Sequence, residues 1–138
     1  YIIQKPNIVF VDDYAHHPSE IEFTINTLKE LFPDKKITGI FQPHLYSRTR
    51  DFADEFSKVL ANLDKIVLLD IYPAREEPID GINSDLILSH INKKHKYLVS
   101  KDELLELIKE DTNEVVVTMG AGDIDRLIDP IKVVLLQR

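Results

Sequence analysis

The sequence predicts an α/β domain with an open, mostly parallel, doubly wound (Rossmann-like) sheet flanked by helices. Three observations lead to this prediction. Short apolar segments rich in β-branched residues alternate with longer amphipathic segments along the 138-residue chain, an order typical of α/β folds. The apolar segments are mostly continuous runs, which indicates strands covered on both faces. Polar residues of unusual chemistry follow these segments and do not precede them.

Five segments are predicted as core strands and one as an edge strand. The core strands are NIVFVD (7–12), KITGIF (36–41), KIVLLDIY (65–72), KYLVS (96–100) and EVVVTM (114–119). The opening YIIQ is followed by a Lys-Pro-Asn turn, and a turn this short joins antiparallel neighbours. Residues 1–4 are therefore predicted to form an antiparallel edge strand.

Helices are predicted between the strands, each with one apolar face built from residues three or four positions apart. These faces comprise Ile21, Ile25, Leu28 and Phe32; Phe52, Phe56, Val59 and Leu63; and Leu104, Leu107 and Ile108. Segments 83–94 and 123–138 are further helix candidates, and Pro130 is expected to interrupt the second. No linker or repeat divides these elements, so residues 1–138 are expected to be a single domain.

Composition excludes several classes of protein. The chain has no cysteine, which excludes a disulfide framework and a thiolate zinc site. The net charge of -7 argues against a nucleic-acid partner. The apolar runs are too short for a membrane span and no signal-peptide pattern opens the chain, so a cytoplasmic protein is predicted. The chain opens on Tyr1 and its only methionine is Met119, so we expect a piece of a longer protein.

Four polar clusters follow four of the predicted strands. They are DDYAHHP (12–18), QPHLYSRTR (42–50), YPAREEPIDG (72–81) and GAGD (120–123), whereas the turns at the opposite ends are ordinary. Ligands of open α/β sheets bind outside the carboxyl ends of the strands. The clusters therefore predict a ligand site at this edge of the sheet.

The first cluster has both structural and functional interpretations. Ser19 and Glu22 have the spacing of a capping box for the following helix. Asp12 and Asp13 are either turn caps or groups that bind ribose hydroxyls or a cation near a nucleotide. The adjacent His16 and His17 point apart, and no other histidine or cysteine has ligand spacing, which argues against zinc. One of the two is expected in the site and the other in packing or capping.

The second cluster places cations where a helix begins. Ser47 or Thr49 is the expected N-cap, with Arg48 and Arg50 in the first turn. Cations there oppose the helix dipole, so the arginines are either solvated or paired with the aspartates that follow, or part of an anion site. We favour an anion site, in which backbone N–H groups and a guanidinium converge on a carboxylate or phosphate.

The last two clusters predict a surface loop and a tight turn. The proline-punctuated segment 72–81 is long enough to cover a neighbouring surface. Gly120 and Gly122 permit a tight strand-to-helix turn. No Walker A sequence occurs in the chain, so a phosphate cradle would have to come from another domain.

Together, DDYAHHP, FQPHLYSRTRDF, YPAREEPIDGI and MGAGDI, which span residues 12–124, resemble the C-terminal domain of the UDP-N-acetylmuramate–L-alanine ligases of the Mur ligase family. The resemblance implies a cytoplasmic three-domain enzyme of peptidoglycan synthesis, in which an acyl phosphate made from UDP-N-acetylmuramate and ATP with Mg²⁺ is attacked by L-alanine. It implies that residues 1–138 bind the amino acid, close over ATP and pack against a central domain. The N-terminal UDP-binding domain and the central domain, which binds most of the ATP and Mg²⁺, are absent from these residues.

The resemblance also implies a role for five residues. Arg48, His44, His16 and Tyr14 would surround L-alanine, with Arg48 as the carboxylate anchor, and Asp13 would contact the ATP ribose. It implies no catalytic residue and no metal ligand in this fragment, which alone is expected to be inactive.

One position departs from the family pattern. Leu45 stands where many relatives have an arginine, and Arg50 or Arg75 could compensate. A domain of a muropeptide ligase (Mpl), which attaches a recycled tripeptide to the same sugar, is one alternative, and a non-catalytic α/β nucleotide- or effector-binding module is another. The histidine and arginine pattern at 44–50 favours the alanine ligase over both.

Overall fold

The computed structural model describes all of residues 1–138 and contains six strands and five α-helices. The strands are β1 (Ile3–Lys5), β2 (Ile8–Asp13), β3 (Ile37–Phe41), β4 (Lys65–Leu68), β5 (Lys96–Leu98) and β6 (Val115–Met119). The helices are α1 (Pro18–Leu31), α2 (Tyr46–Leu60), α3 (Asp85–Leu88), α4 (Lys101–Glu110) and α5 (Ile128–Leu136), with a 3-10 helix (Asp123–Leu127) before α5. None of these helices combines the length and the apolar character needed to cross a bilayer.

All strands belong to one sheet with the order β1-β2-β6-β3-β4-β5. β1 pairs antiparallel with β2, and every other neighbouring pair is parallel. The predicted fold class, including the antiparallel edge at the N-terminus, is therefore confirmed. The third core strand is shorter than predicted, because β4 ends at Leu68 and the chain then leaves the sheet.

Each face of the sheet has its own apolar core. One core joins the sheet to α1, α2 and α3 and contains Phe41 and Phe56. The other joins it to α4, α5 and the 3-10 helix and contains Phe10 and Ile108. The chain thus leaves β2 and β3 toward one face and the intervening β6 toward the other. Neighbouring strands that send their connections to opposite faces open a crevice at their carboxyl ends.

The capping box predicted for α1 is wrong by two residues. His17 is the N-cap, its Nδ1 accepts a hydrogen bond from the Ser19 N–H, and Glu20 rather than Glu22 completes the box. Pro18 explains the shift, because a proline has the helical φ and lacks only an N–H that the first helical position leaves unpaired.

The two last helix candidates also differ from their predictions. Within 83–94 only Asp85–Leu88 is helical. Pro130 lies in the first turn of α5, where its missing N–H costs no hydrogen bond, and the helix continues through it. The break falls earlier, where the 3-10 helix gives way to α5 at Ile128.

Candidate functional site

Loops after β2, β3, β4 and β6 meet at the carboxyl edge of the sheet. The loops after β3 and β4 share a parallel bridge between His44 and Tyr72. The side chain of Gln42 joins the loop after β3 to the loop after β6 through Asp123. The ring centroids of His16 and His44 are 6.1 Å apart and join the loops after β2 and β3. The four polar clusters of the sequence therefore lie together.

Four rings form a row across this edge. Tyr14 meets the edge of His16 at 5.3 Å, and His44 stacks on Tyr72 with centroids 5.7 Å apart and planes 14° apart. His16 Nδ1 lies 3.0 Å from the carbonyl oxygen of Tyr14. A carbonyl only accepts, so Nδ1 of His16 carries the proton in this bond. Tyr14 ends the row and is 70% exposed.

Arg48 lies beside the histidine of this row. Its Nη1 donates to His44 Nδ1 at 3.3 Å. Nδ1 of His44 is therefore the unprotonated acceptor. Burial, then the charge of Arg48, then His16, lower the pKa of His44 below its ordinary value of 6.5, and the ring is neutral at pH 7. Arg48 is half-buried, and no carboxylate oxygen lies within 4.0 Å of its guanidinium.

The other two arginines do not join this cluster. Arg50 is the fifth residue of α2, beyond its first turn, and its Nε donates to Asp51 Oδ1 at 2.9 Å. Pairing with Asp51 also raises the pKa of Arg50. Arg75 is exposed and makes no ion pair or hydrogen bond. Neither arginine therefore supplies a second guanidinium next to Arg48.

The start of α2 differs from the prediction. Its N-cap is Leu45, with a positive φ of 72° and no side-chain cap, so neither Ser47 nor Thr49 occupies that position. The Ser47 N–H donates to Glu76 Oε1 at 3.1 Å, and the Ser47 hydroxyl donates to Glu76 Oε2. The predicted convergence of free N–H groups and guanidinium is thus wrong for Ser47, whose N–H already binds a carboxylate of the protein. The sequence showed that segment 72–81 was acidic but not where Glu76 would lie.

Two glycines after β6 allow the loops to approach each other. Gly120 has a φ of 143°, and a Cβ on Gly122 would lie 2.6 Å from both Gln42 Oε1 and Tyr72 Cβ. The buried Gln42 accepts from the Ile124 N–H at 2.9 Å and donates to Asp123 at 2.7 Å. The predicted tight turn is confirmed, and Gln42, to which the sequence assigned no role, holds it against the end of β3.

A family model described as "Mur ligase, glutamate ligase domain" matches residues 1–122. The chain belongs to the Mur ligase family. The match includes the first three motifs completely and both glycines of the fourth.

Curated relatives of this Mur ligase domain carry the name UDP-N-acetylmuramate–L-alanine ligase. The protein of Flavobacterium psychrophilum is 52% identical over 130 residues, which are 94% of this chain and 29% of the relative. The protein of Cytophaga hutchinsonii is 51% identical over 138 residues, which are 100% of this chain and 30% of the relative. The chain thus spans less than a third of the length of these relatives.

Solved structures of two ligases share the arrangement of strands and helices seen in this domain. UDP-N-acetylmuramate–alanine ligase MurC of Thermotoga maritima superposes with a TM-score of 0.76 at 31% identity, over 98% of this chain and 29% of that chain. The murein peptide ligase of Psychrobacter arcticus has a TM-score of 0.74 at 18% identity, over 94% of this chain and 28% of that chain. The second likeness shows the fold alone.

Four of the five site residues predicted for this Mur ligase domain form one cluster. Arg48, His44, His16 and Tyr14 are linked in a chain of ring and hydrogen-bond contacts. The side chain of Asp13 instead points back toward α1.

Asp13 accepts from two groups of the protein. Its Oδ1 accepts from the Ala15 N–H and its Oδ2 from the Thr24 hydroxyl, each at 2.9 Å. Asp12 likewise accepts from the Thr118 hydroxyl at 2.7 Å. Asp13 therefore braces the turn between β2 and α1, and Asp12 joins the ends of β2 and β6. Asp13 also lines a mainly apolar depression of about 200 Å³ beside Phe23 of α1.

Proposed function

We propose that residues 1–138 are the C-terminal domain of an ATP-dependent ligase that joins L-alanine to UDP-N-acetylmuramate in peptidoglycan synthesis in the cytoplasm. Identity of about 50% to proteins of that name supports the proposal. In this proposal the domain packs against a central domain, which provides most of the site for ATP and Mg²⁺, and the UDP-sugar is held by an N-terminal domain.

The unpaired guanidinium of Arg48 is the observation that carries the amino-acid site. A half-buried cation without a counter-ion has lost part of its hydration, which costs free energy. A ligand carboxylate would offset this cost through charge-assisted hydrogen bonds. His44 is neutral and accepts from Arg48, so it orients the guanidinium without competing for the anion. L-Alanine offers little apolar surface, so its carboxylate would provide much of its affinity. The neighbouring rings of His16 and Tyr14 would enclose the rest of this small substrate.

Asp13 is better placed to bind the ribose of a nucleoside than to bind the amino acid. A carboxylate has about four acceptor positions, and Asp13 uses two of them internally, which leaves capacity for ribose hydroxyls. The apolar depression beside it suits a flat or hydrophobic group. ATP supplies the phosphoryl group that activates the sugar carboxylate. No Walker A sequence occurs in residues 1–138, so the proposal assigns the phosphates, and Mg²⁺ with them, to the central domain.

Substitution of Arg48 in the full-length ligase tests the proposal. Arg48→Ala should raise the KM for L-alanine by about 10- to 100-fold, because the loss of a charge-assisted bond amounts to roughly 1.5–3 kcal/mol. The KM values for ATP and UDP-N-acetylmuramate should change little, since other domains hold most of these substrates.

Arg50→Ala is the matched control. Arg50 lies on the same helix, carries the same charge and pairs with Asp51 outside the cluster, so its removal should leave the kinetics unchanged. The 138-residue chain alone provides the background and should show no ligation, because it has no phosphate cradle. A wild-type KM for L-alanine in Arg48→Ala would refute the assignment of the amino-acid site.

A further inference from the structure

The segment that carries Arg48 is bound along its length by a second loop. We call residues 43–48 the arginine turn and residues 72–76 the brace loop. The Tyr72 N–H donates to the Pro43 carbonyl at 2.8 Å, and the Leu45 N–H donates to the Tyr72 carbonyl at 2.9 Å. The stacked rings of His44 and Tyr72 add a side-chain contact between the same two segments.

Glu76 joins the end of the brace loop to the arginine turn. Its two carboxylate oxygens accept from the N–H and the hydroxyl of Ser47, the residue that directly precedes Arg48. An unpaired N–H in the first turn of a helix is usually satisfied by the side chain of the N-cap. Here the N-cap is Leu45, which has no polar side chain, so Glu76 provides the acceptor from a different loop. A negative charge at this position also matches the helix dipole.

The arginine turn depends on such support. Leu45 has a φ of 72°, and a non-glycine residue holds this conformation only when its surroundings enforce it. At Phe52 the φ and ψ of -119° and 18° interrupt α2, so the first turns that carry Arg48 do not continue smoothly into the packed part of the helix. Within these first turns the buried Thr49 donates its hydroxyl to the Leu45 carbonyl at 3.0 Å, and Glu76 holds Ser47 from the other loop.

We propose that Glu76 is a positioning residue for the amino-acid substrate, because its carboxylate holds the arginine turn and thereby the Arg48 guanidinium and the His44 ring. This inference rests on the proposed function of Arg48. Glu76 acts through Ser47, and it places Arg48 without pairing with it, since no ion pair joins the two side chains. The guanidinium therefore stays available to the substrate.

Steady-state kinetics of the full-length ligase separate positioning from general stability. Glu76→Ala should raise the KM for L-alanine about 10-fold and leave kcat and the KM for ATP within about 2-fold, because only the placement of the amino acid is lost. Glu76→Gln keeps one acceptor oxygen and should raise the same KM only about 3-fold. Glu77→Ala is the control, since Glu77 is the exposed neighbour and makes no ion pair or hydrogen bond.

Two further measurements assign the effect to the contact with Ser47. In the double variant Arg48→Ala/Glu76→Ala, the KM for L-alanine should be no higher than in Arg48→Ala alone, because Glu76 acts by placing Arg48 and the His44 ring that orients it. Hydrogen exchange of the Ser47 amide should be faster in Glu76→Ala than in Glu77→Ala.

The outcomes distinguish this inference from the proposed function. If Arg48→Ala raises the KM for L-alanine and Glu76→Ala does not, the positioning role is refuted and the amino-acid site stands. If Arg48→Ala has wild-type kinetics, the proposed site fails, and positioning of the substrate fails with it even when Ser47 exchange responds. An equal rise of all KM values with a lower melting temperature in Glu76→Ala would show a structural role only and would overturn the proposal.

Discussion

Arg48 and His44 share a hydrogen bond of 3.3 Å in which the histidine must be the acceptor. Protonation of His44 would remove that acceptor and place two positive charges side by side. Burial and the neighbouring guanidinium lower the pKa of His44, so folding favours the neutral ring. The stability that this group contributes is therefore fully present above pH 6.5 and is lost as the pH falls through the folded pKa.

An NMR titration of His44 checks this arrangement. The ring should titrate below pH 6.5 in the wild-type chain, and Arg48→Ala should raise its pKa because one of the charges that oppose protonation is removed. Arg50→Ala should leave the value unchanged, since Arg50 is not among the groups that shift it. A pKa of His44 at or above 6.5 in the wild-type chain would contradict the geometry described for Arg48.

At the scale of single residues, the sequence predicted which residue types meet at the site but not all of their hydrogen-bond partners. Tyr14 and His16 follow β2 and His44 and Arg48 follow β3, the two strands on either side of β6, and the carboxyl ends of parallel strands lie at one edge of the sheet. The direction of Asp13 was not predictable, because it depends on Thr24, a residue of the following helix that has no distinctive sequence pattern.

Helix ends show a second limit of the sequence patterns. Ser19 and Glu22 have the spacing of a capping box, but Glu20 accepts from the His17 N–H at 3.0 Å and from the His16 N–H at 3.3 Å. These bonds also lower the pKa of Glu20. The helix begins two residues earlier than the serine indicates, because Pro18 already has a helical φ.

Substitution of the two glutamates distinguishes these assignments. Glu20→Ala should lower the free energy of unfolding by about 0.5–1 kcal/mol, since two backbone N–H groups lose their acceptor at an exposed site. Glu22→Ala should change it by less than about 0.5 kcal/mol, as is usual for surface substitutions. Urea unfolding of both variants measures the difference, and a larger effect at Glu22 would restore the box predicted from the sequence.

On the scale of the whole molecule, a buried aspartate ties the amino edge of the sheet together. Asp111, whose side chain is 1% exposed, accepts from Lys65 of β4 at 2.8 Å and lies 3.3 Å from the Arg138 guanidinium. The Thr38 hydroxyl of β3 donates to it at 2.8 Å. Burial by itself raises the pKa of Asp111, but the bonds from Lys65 and Thr38 more than offset this, and the pKa lies below 3.8.

Asp111→Ala should lower the free energy of unfolding by about 3 kcal/mol, the lower end for a buried ion pair, because both cations can still reach water. Asp34→Ala, in an exposed turn, is the control and should have almost no effect. The folded pKa is depressed, so this stabilisation is present above pH 3.8 and is lost as the pH falls further. Urea unfolding at pH 7 and at pH 3 measures both effects, and equal losses in the two variants would contradict the role of Asp111.

The sequence by itself determined the fold class, the strand segments and the edge of the sheet where the site lies. These properties follow from patterns within a few residues of each other, namely apolar runs, helical periodicity and turn residues. The tertiary structure alone decided that Glu76 satisfies the start of α2, that Arg48 stays unpaired while Arg50 does not, and that Asp13 turns toward α1. Most of these contacts join separate segments of the chain, and side chains find such partners only when the packed sheet and helices bring them within hydrogen-bonding distance.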